Sequence, residues 1–459
     1  MLSLGDTIVA CATPWGRGAI AVVRLSGPDV EKIVRSLCRL SAERTLTPRR
    51  AQLAGMYGET KRLDEGLVLW MPGPRSYTGE DIAELSCHGN PLIVEQLIDR
   101  CVALGARVAG PGEFTRRAVL NGRMDLPRAE AVCQAIEARS EAGITLAQQG
   151  LKGALSERFV GFRSVLETCG AELEVRLDYP GEEPGNWSDE VLCDQLRAFA
   201  EESATLAESY RAGKAWVEGA KIVLLGPVNA GKSTLFNALL GDQRALVSPT
   251  AGTTRDIVEA RCVISELPVV LFDTAGERDA PDEIEAAGIA LRDGFVRSAD
   301  LVLHVFPAHV LSSDAFTTWL SSASQQEGVV VLNHVDQVVD SAQLEQIEAL
   351  IREAGLVSVQ TNAKAQQGLD VLKAQIKAQL MGEEPGEAAL VIGSQRQRDL
   401  LSTISRHARS AADAIETSAG IAVAAEEVIH ALERIGELDG REAREGVLDR
   451  LFARFCIGK

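Results

Sequence analysis

The stretch Lys221–Leu225, KIVLL, runs directly into Gly226–Ser233, GPVNAGKS, and from there into the helix-forming TLFNALLG. A strand, a glycine-bearing loop ending in Lys-Ser and a helix, in that order, make a P-loop, and few folds accommodate one. Its glycines let backbone amides curl round phosphates at a helix N-terminus. Lys232 reaches the β and γ oxygens, and the Ser233 hydroxyl ligates Mg2+. The same strand–loop–helix alternation continues through VVLFD, LVLHVF, GVVVLN and VSVQTN, with helical segments between. A parallel, doubly wound sheet is therefore expected over residues 216–380.

A P-loop alone does not separate ATP from GTP. Further along, VVLFDTAG (269–276) ends an apolar strand with Asp273, placed to act on Mg2+ directly or through a water. Thr274 and Ala275 lead to Gly276, whose amide can meet a γ-phosphate. Base choice comes from N333-H334-V335-D336 after VVVL, at the place of an N-K-x-D guanine motif. The Asp336 carboxylate can accept hydrogen bonds from the guanine ring N–H and amino group together. Adenine cannot supply that pairing, so GTP is the expected nucleotide. His334 departs from the motif, and two readings stand: an imidazole stacked on the base, or an exposed histidine with no role. T361-N362-A363-K364 matches only in part the segment that meets the guanine oxygen. Between the P-loop and DTAG lies SPTAGTTRD, Ser248–Asp256, in the position of switch I, with Thr254 as second hydroxyl ligand of Mg2+. The expected nucleotide contacts are thus Asn229, Ala230, Gly231, Lys232, Ser233 and Thr234 in the P-loop. Ser248, Pro249, Thr250, Ala251, Gly252, Thr253 and Thr254 follow in switch I, then Asp273, Thr274, Ala275 and Gly276, and finally Asn333, His334 and Asp336.

The remainder of the 459-residue chain is of a different kind. Residues 1–120 alternate short apolar strands (TIVACA, AIAVVRL, QLAGMYG, GLVLWM, DIAELSC) with amphipathic stretches at 28–40 and 90–105, which reads as an α+β domain. From Asp125 helical patterning takes over, across 121–215, with DYPGEEPGNW (178–187) as a turn between helices. After the loop MGEEPGE (381–387), residues 381–459 are helical again. Two helical blocks flanking an α/β unit imply that the unit is an insertion and that its flanks pack together. A net charge of −18 argues against non-specific nucleic-acid binding. Nine scattered cysteines with no C-x-x-C pair fit a reducing compartment, and no apolar run reaches the ~18–20 residues of a membrane span. A cytoplasmic chain is expected.

GPVNAGKS with Asn229, the GTTRD loop and DTAG resemble the MnmE (TrmE) family of tRNA modification GTPases. Four segments outside the α/β unit carry the same likeness: TIVACATPWGRGAIAVVRLSG, PGPRSYTGEDIAELSCHGN, PGEFTRRAVLNGRMDLPRAEA and the final FCIGK. The resemblance implies a multidomain α+β and α/β fold. An N-terminal domain binds a tetrahydrofolate one-carbon derivative and forms a homodimer, and a helical domain carries an inserted Ras-like G domain. It further implies an FAD-dependent MnmG-like partner in a heterotetramer that uses NADH, and modification at carbon five of the wobble uridine of certain tRNAs. The folate positions carried over are Arg24, Glu84, Arg123 (commonly Lys in the family) and Lys459. Cys456 matches a cysteine associated with the tRNA step, and nothing around it in sequence shows an activated thiol. For hydrolysis the resemblance implies K+ held at Asn229, Ser248, Thr250 and Thr253 once two G domains meet, and a water oriented through Glu285. Glu277 stands where the family has an apolar residue; its carboxylate either repels the γ-phosphate or pairs with Arg278. Two rival readings are an Era-like ribosome-associated switch, which leaves the flanking segments without a reason, and a weakly hydrolysing GTP-regulated scaffold, which His334, Glu277 and TNAK favour.

Overall fold

The computed structural model describes residues 5–41, 46–179, 187–241, 257–274, 294, 296–309, 316–317, 319–321, 328–338, 341–381, 390–417, 420–441, 445–453 and 455–459. Its contacts divide the chain into two compact units, each built from separate stretches. One holds Met1–Cys133, Gly150–Arg197 and Arg406–Lys459; the other holds Gln134–Gln149 and Ala198–Ser405.

In the first unit, strands β1 (Ile8–Cys11), β2 (Ile20–Ser26), β3 (Gln52–Tyr57), β4 (Arg62–Met71), β5 (Ile82–His88) and β6 (Arg107–Val108) form one sheet in the order β3-β4-β5-β2-β1-β6. Pairing is antiparallel except between β1 and β6. The five expected apolar strands are all present; the two-residue β6 was not foreseen. Alternation along β2 buries Ala21, Val23 and Leu25 against helices α1 (Val30–Leu37) and α2 (Pro91–Ala103). Val30, Ile33, Val34 and Leu37 recur at helical spacing and are fully buried, which is why this stretch of α1 folds as a helix on the sheet. α2 starts on Pro91, with the Asn90 side chain accepting from the Leu92 amide, a capping pair that sets its first turn. The same alternation turns Arg24 to the face opposite Val23 and Leu25, and the register sets it directly across from Glu84.

Helix α3 (Glu113–Leu120) was hidden from sequence reading because its buried side is charged. Arg117 is 2% exposed and reaches Asp6 at 2.5 Å, Glu113 at 3.0 Å and Glu80 at 3.2 Å; Arg107 binds Glu113 at 2.6 Å and Asp6 at 2.7 Å. The helices α4 (Leu126–Glu137) and α5 (Glu141–Lys152) follow, the end of α4 and most of α5 belonging to the second unit, with the Asp125 carboxylate accepting from the Arg128 amide at the start of α4. α6 (Ala154–Asp178) and α7 (Asp189–Glu208) come next. The stretch between them lies mostly outside the described residues, as does the MGEEPGE loop. α12 (Gln395–Glu416), α13 (Ile421–Asp439) and α14 (Glu445–Phe452), numbered after four helices of the α/β unit given below, return from the far end of the chain. Arg163 of α6 pairs with Asp439 of α13 at 3.0 Å, and Arg197 of α7 with Glu416 of α12 at 2.5 Å, so the two flanks do meet. Phe452 and Phe455 pack on Leu126 and Ala129, and Arg116 of α3 pairs with Asp449 of α14 at 3.1 Å.

In the second unit, α8 (Tyr210–Val217) leads into β7 (Ala220–Leu225), α9 (Lys232–Leu240), β8 (Ile257–Ile264), β9 (Leu267–Thr274), β10 (Leu301–Pro307), β11 (Gly328–Asn333), α10 (Ser341–Glu353), β12 (Val357–Thr361) and α11 (Leu369–Met381). The sheet order is β12-β11-β10-β7-β9-β8, parallel except for the antiparallel edge strand β8, which was not foreseen. Every residue of β10 and β11 is buried, as a parallel sheet covered on both faces requires. One face packs on α9 and α11 through Leu235, Phe236, Leu372 and Ile376; the other packs Val330 and Leu332 on Ile347 and Ile351 of α10. No described helix is long and apolar enough to cross a membrane.

The Arg117 cluster sets the acid sensitivity of the first unit. Burial alone would raise the Glu113 carboxyl, but hydrogen bonds from Arg107, the Gly110 amide and Arg117 outweigh it and hold its pKa below the ordinary glutamate value. At Asp6 the hydrogen bonds from Arg107 and Arg117 likewise overcome burial and lower the pKa. A carboxylate whose folded pKa is lowered stabilises the fold above its unfolded pKa, and that contribution is lost as pH falls through the folded value. Arg117→Ala leaves three carboxylates without their shared cation and is expected to cost about 3–5 kcal/mol at pH 7. Urea unfolding at pH 7 and at pH ~4 should show this loss shrinking at the lower pH, where the acids begin to take up protons; an equal loss at both pH values would refute the assignment.

Candidate functional site

The P-loop begins where β7 passes β10. Gly226 has φ 153°, and a Cβ on it would lie 2.0 Å from the carbonyl oxygen of Val305, so only glycine fits this close approach. Asn229 (φ 64°) and Gly231 (φ 86°) occupy left-handed backbone, which turns the chain tightly into α9. Lys232 opens that helix. Its side chain is buried, and its ammonium arches back to donate to the carbonyls of Gly226 at 2.7 Å and Pro227 at 2.9 Å. Ser233 and Thr234 in the first turn are exposed, as is Asn229. A helix N-terminus, an ammonium and an accessible hydroxyl together make a site for a phosphate and its cation.

The N-H-V-D and T-N-A-K segments are tied to this loop by one buried amide. Asn333, fully buried at the end of β11, donates from Nδ2 to the Ala230 carbonyl at 3.0 Å. Its Oδ1 accepts from the Thr361 hydroxyl at 3.2 Å and the Ala363 amide at 3.1 Å. The P-loop, the N-H-V-D turn and the T-N-A-K segment are thereby fixed with respect to one another. His334 follows in left-handed backbone (φ 62°), and its ring lies against the P-loop: a Cβ on Gly231 would fall 2.9 Å from His334 Nε2 and 2.2 Å from Asn333 Nδ2. The His309 ring meets it edge-on, with centroids 5.6 Å apart. Asp336 is exposed, in the short 3-10 turn Val335–Gln337. Asp273 is half-buried at the end of β9, in register with Leu224 of β7, one residue before that strand ends. Thr274 closes β9. Ser248, Pro249, Thr250, Ala251, Gly252, Thr253, Thr254, Ala275, Gly276, Glu277, Arg278 and Glu285 lie outside the described residues.

A second constellation forms in the first unit around Arg24. Its guanidinium binds Glu84 at 2.8 Å and donates to the carbonyl of Gly458 at 3.2 Å. The rings of Tyr77 and Phe114 each lie 5.8 Å from it. The FCIGK segment reaches this point by lying along β1 and the start of α3. The Phe114 amide donates to the Lys459 carbonyl at 3.1 Å, the Gly112 amide to that of Cys456 at 3.3 Å, and Pro111 bridges to Ile457. Arg123 joins through the same loop as Tyr77, donating to the Ser76 carbonyl at 3.0 Å. Arg24, Glu84, Arg123 and Lys459, scattered in sequence, are thus gathered in one region, and Cys456 beside them is exposed. Burial pushes the Tyr77 phenol up, against its bond with Thr115 and the charge of Arg24. Tyr77 and Phe114 were missed in sequence; each lies inside a segment that carried the family likeness, but an aromatic residue there gives no signal of its partner. A carboxylate, cations and flanking rings are a donor set suited to a flat anion that also carries hydrogen-bond donors.

Residues 7–123 match the family model described as GTP-binding protein TrmE N-terminus, and residues 126–456 match the MnmE helical domain. The tRNA modification GTPase MnmE of Myxococcus xanthus is 40% identical over 463 residues, covering 100% of each chain. Those of Thermotoga petrophila and Thermotoga maritima are each 37% identical over 456 residues, covering 99% of this chain and 100% of the relative. With both parts of the chain matched and the identity running from end to end, the chain belongs to the MnmE family of tRNA modification GTPases.

Proposed function

We propose that the chain is a GTPase that acts in tRNA modification: with a flavoprotein partner it alters carbon five of the wobble uridine, using a tetrahydrofolate one-carbon donor. The observation that carries the nucleotide half is the Asn333 amide, which fixes a P-loop against a turn presenting the free face of Asp336. The division of labour follows the four segments: 1–120 for folate and homodimer formation, 121–215 and 381–459 for the helical domain, and 216–380 for GTP.

Each residue has a role set by its chemistry. The amides of Asn229 to Thr234 receive the phosphates, and Lys232 exchanges its two carbonyl partners for phosphate oxygens. Asp336 reads the guanine edge while His334 holds the loop on Gly231. Ser233 with Thr254, aided by Asp273, would hold Mg2+, and Asn229 with Ser248, Thr250 and Thr253 would hold K+; such cations offset the charge that develops on the transferring phosphoryl group. Glu285 orients the attacking water. At the other site, Arg24, Arg123, Lys459 and Glu84 would hold the folate, the cations suiting its anionic groups and the carboxylate its N–H groups, and the folate would supply the one-carbon unit. Cys456 takes part in the tRNA step, and the partner brings FAD and NADH.

Three outcomes are expected. Asp336→Asn should weaken GTP binding roughly 10–100-fold, the equivalent of ~1.5–3 kcal/mol of charge-assisted hydrogen bonding, and shift preference toward xanthosine triphosphate; titration with a fluorescent nucleotide showing unchanged GTP affinity would defeat the guanine assignment. GTP turnover should be faster in potassium than in sodium buffer at equal ionic strength, and equal rates would remove K+ from the mechanism. Mass spectrometry of tRNA nucleosides should show loss of the wobble-uridine modification in a strain lacking the gene, and no restoration by Arg24→Ala. Unchanged nucleosides in the deletion strain would sink the tRNA assignment, while full restoration by the variant would sink only the role of Arg24.

A further inference from the structure

His407 lies on α12, and Glu427 and His430 lie three residues apart on one face of α13, all in the first unit. One nitrogen or oxygen ligand atom from each falls within 4.8 Å of the other two. His407 Nδ1 and Glu427 Oε2 share a hydrogen bond at 2.6 Å, and the rings of His407 and His430 are 5.5 Å apart between centroids, tilted by 53°. All three side chains are half-buried, so a small ion can reach them. Among the described residues no other group of three His, Cys, Asp or Glu side chains comes this close.

We propose that His407, Glu427 and His430 form a binding site for a borderline transition-metal ion, Zn2+ by preference, that clips α12 to α13. Two imidazoles and one carboxylate suit zinc, which accepts three protein ligands with water in a fourth position. Mg2+ and Ca2+ call for an oxygen-only shell, which this group does not offer. Tetrahedral bonds of ~2.0–2.1 Å place donor atoms about 3.3 Å apart, so adjustment of the side chains by about an ångström closes the group on an ion. The ion takes the place of the hydrogen bond between His407 and Glu427, each ligand offering a lone pair to it. Because α13 is held to α6 by Arg163 and Asp439, the clip also bears on the seam between the two helical flanks. None of the three residues belongs to the nucleotide or the Arg24 site.

The test uses the full chain without a polyhistidine tag, in a Cys456→Ser background that removes the exposed thiol. Stripped with chelator and desalted, it is titrated with Zn2+ alone and with Co2+ as a spectroscopic probe. One equivalent should bind, Co2+ should give the visible absorption of a tetrahedral N/O site, and Zn2+ should raise the Tm. His407→Ala and His430→Ala should each weaken binding at least tenfold and abolish the Tm rise. If either alanine variant fails to fold, His430→Gln, which keeps the size and polarity of the side chain, should give the same loss. Absence of binding by the parent protein, or undiminished binding by a folded His430 variant, overturns the proposal.

Discussion

Three loops that leave different strands of the parallel sheet meet at the side-chain amide of Asn333. An amide can serve this way because it carries donors on one atom and an acceptor on the other, and because at full burial each of its bonds is made without competition from water. Leaving any partner unpaired in that position would cost ~1–3 kcal/mol, which is why the geometry is held so firmly. The P-loop and the turn that carries the Asp336 carboxylate are then parts of one rigid object. The placing of the Asp336 turn depends on a residue that itself faces protein on every side.

Much of this was legible in the sequence, for identifiable reasons. The strands β7, β9, β10 and β11 are apolar runs ended by residues of known chemistry, so both the sheet and the position of its loops could be read. The edge strand β8 escaped because IVEARCVI mixes charge into its alternation. α3 escaped for the opposite reason, since its buried face is made of arginine and glutamate that satisfy one another. Asn333 is expected from sequence among the nucleotide contacts; its bonds to Ala230, Thr361 and Ala363, which join the loops, carry no sequence signal. The sequence allows His334 two readings, stacked on the base or exposed without a role, and the structure sets its ring against Gly231.

The Arg24 constellation shows the limit of local reading more sharply. Its four members span the chain, and periodicity carries no information on such separations. The register of β2 against β5 brings two of them face to face. The others arrive only because α3 and the loop after β4 present backbone groups at the right height. Charge in this region is balanced within the protein: Arg117 answers three acids and Arg24 answers Glu84, so a chain with a strongly negative total still keeps buried cations.

The seat of FCIGK has a consequence for the order in which the protein matures. A Cβ at Gly458 would come within 2.2 Å of the Cys11 carbonyl, so the tail lies directly on the first strand of the sheet. Synthesis proceeds from the other end, and domains fold largely as they emerge. The N-terminal sheet therefore leaves the ribosome long before the segment that completes it, and must wait, with Arg24 short of its Gly458 partner, while the whole nucleotide-binding unit is made. Ribosome stalling or premature release at any intervening codon yields chains whose first unit is unfinished, even where their P-loop is intact.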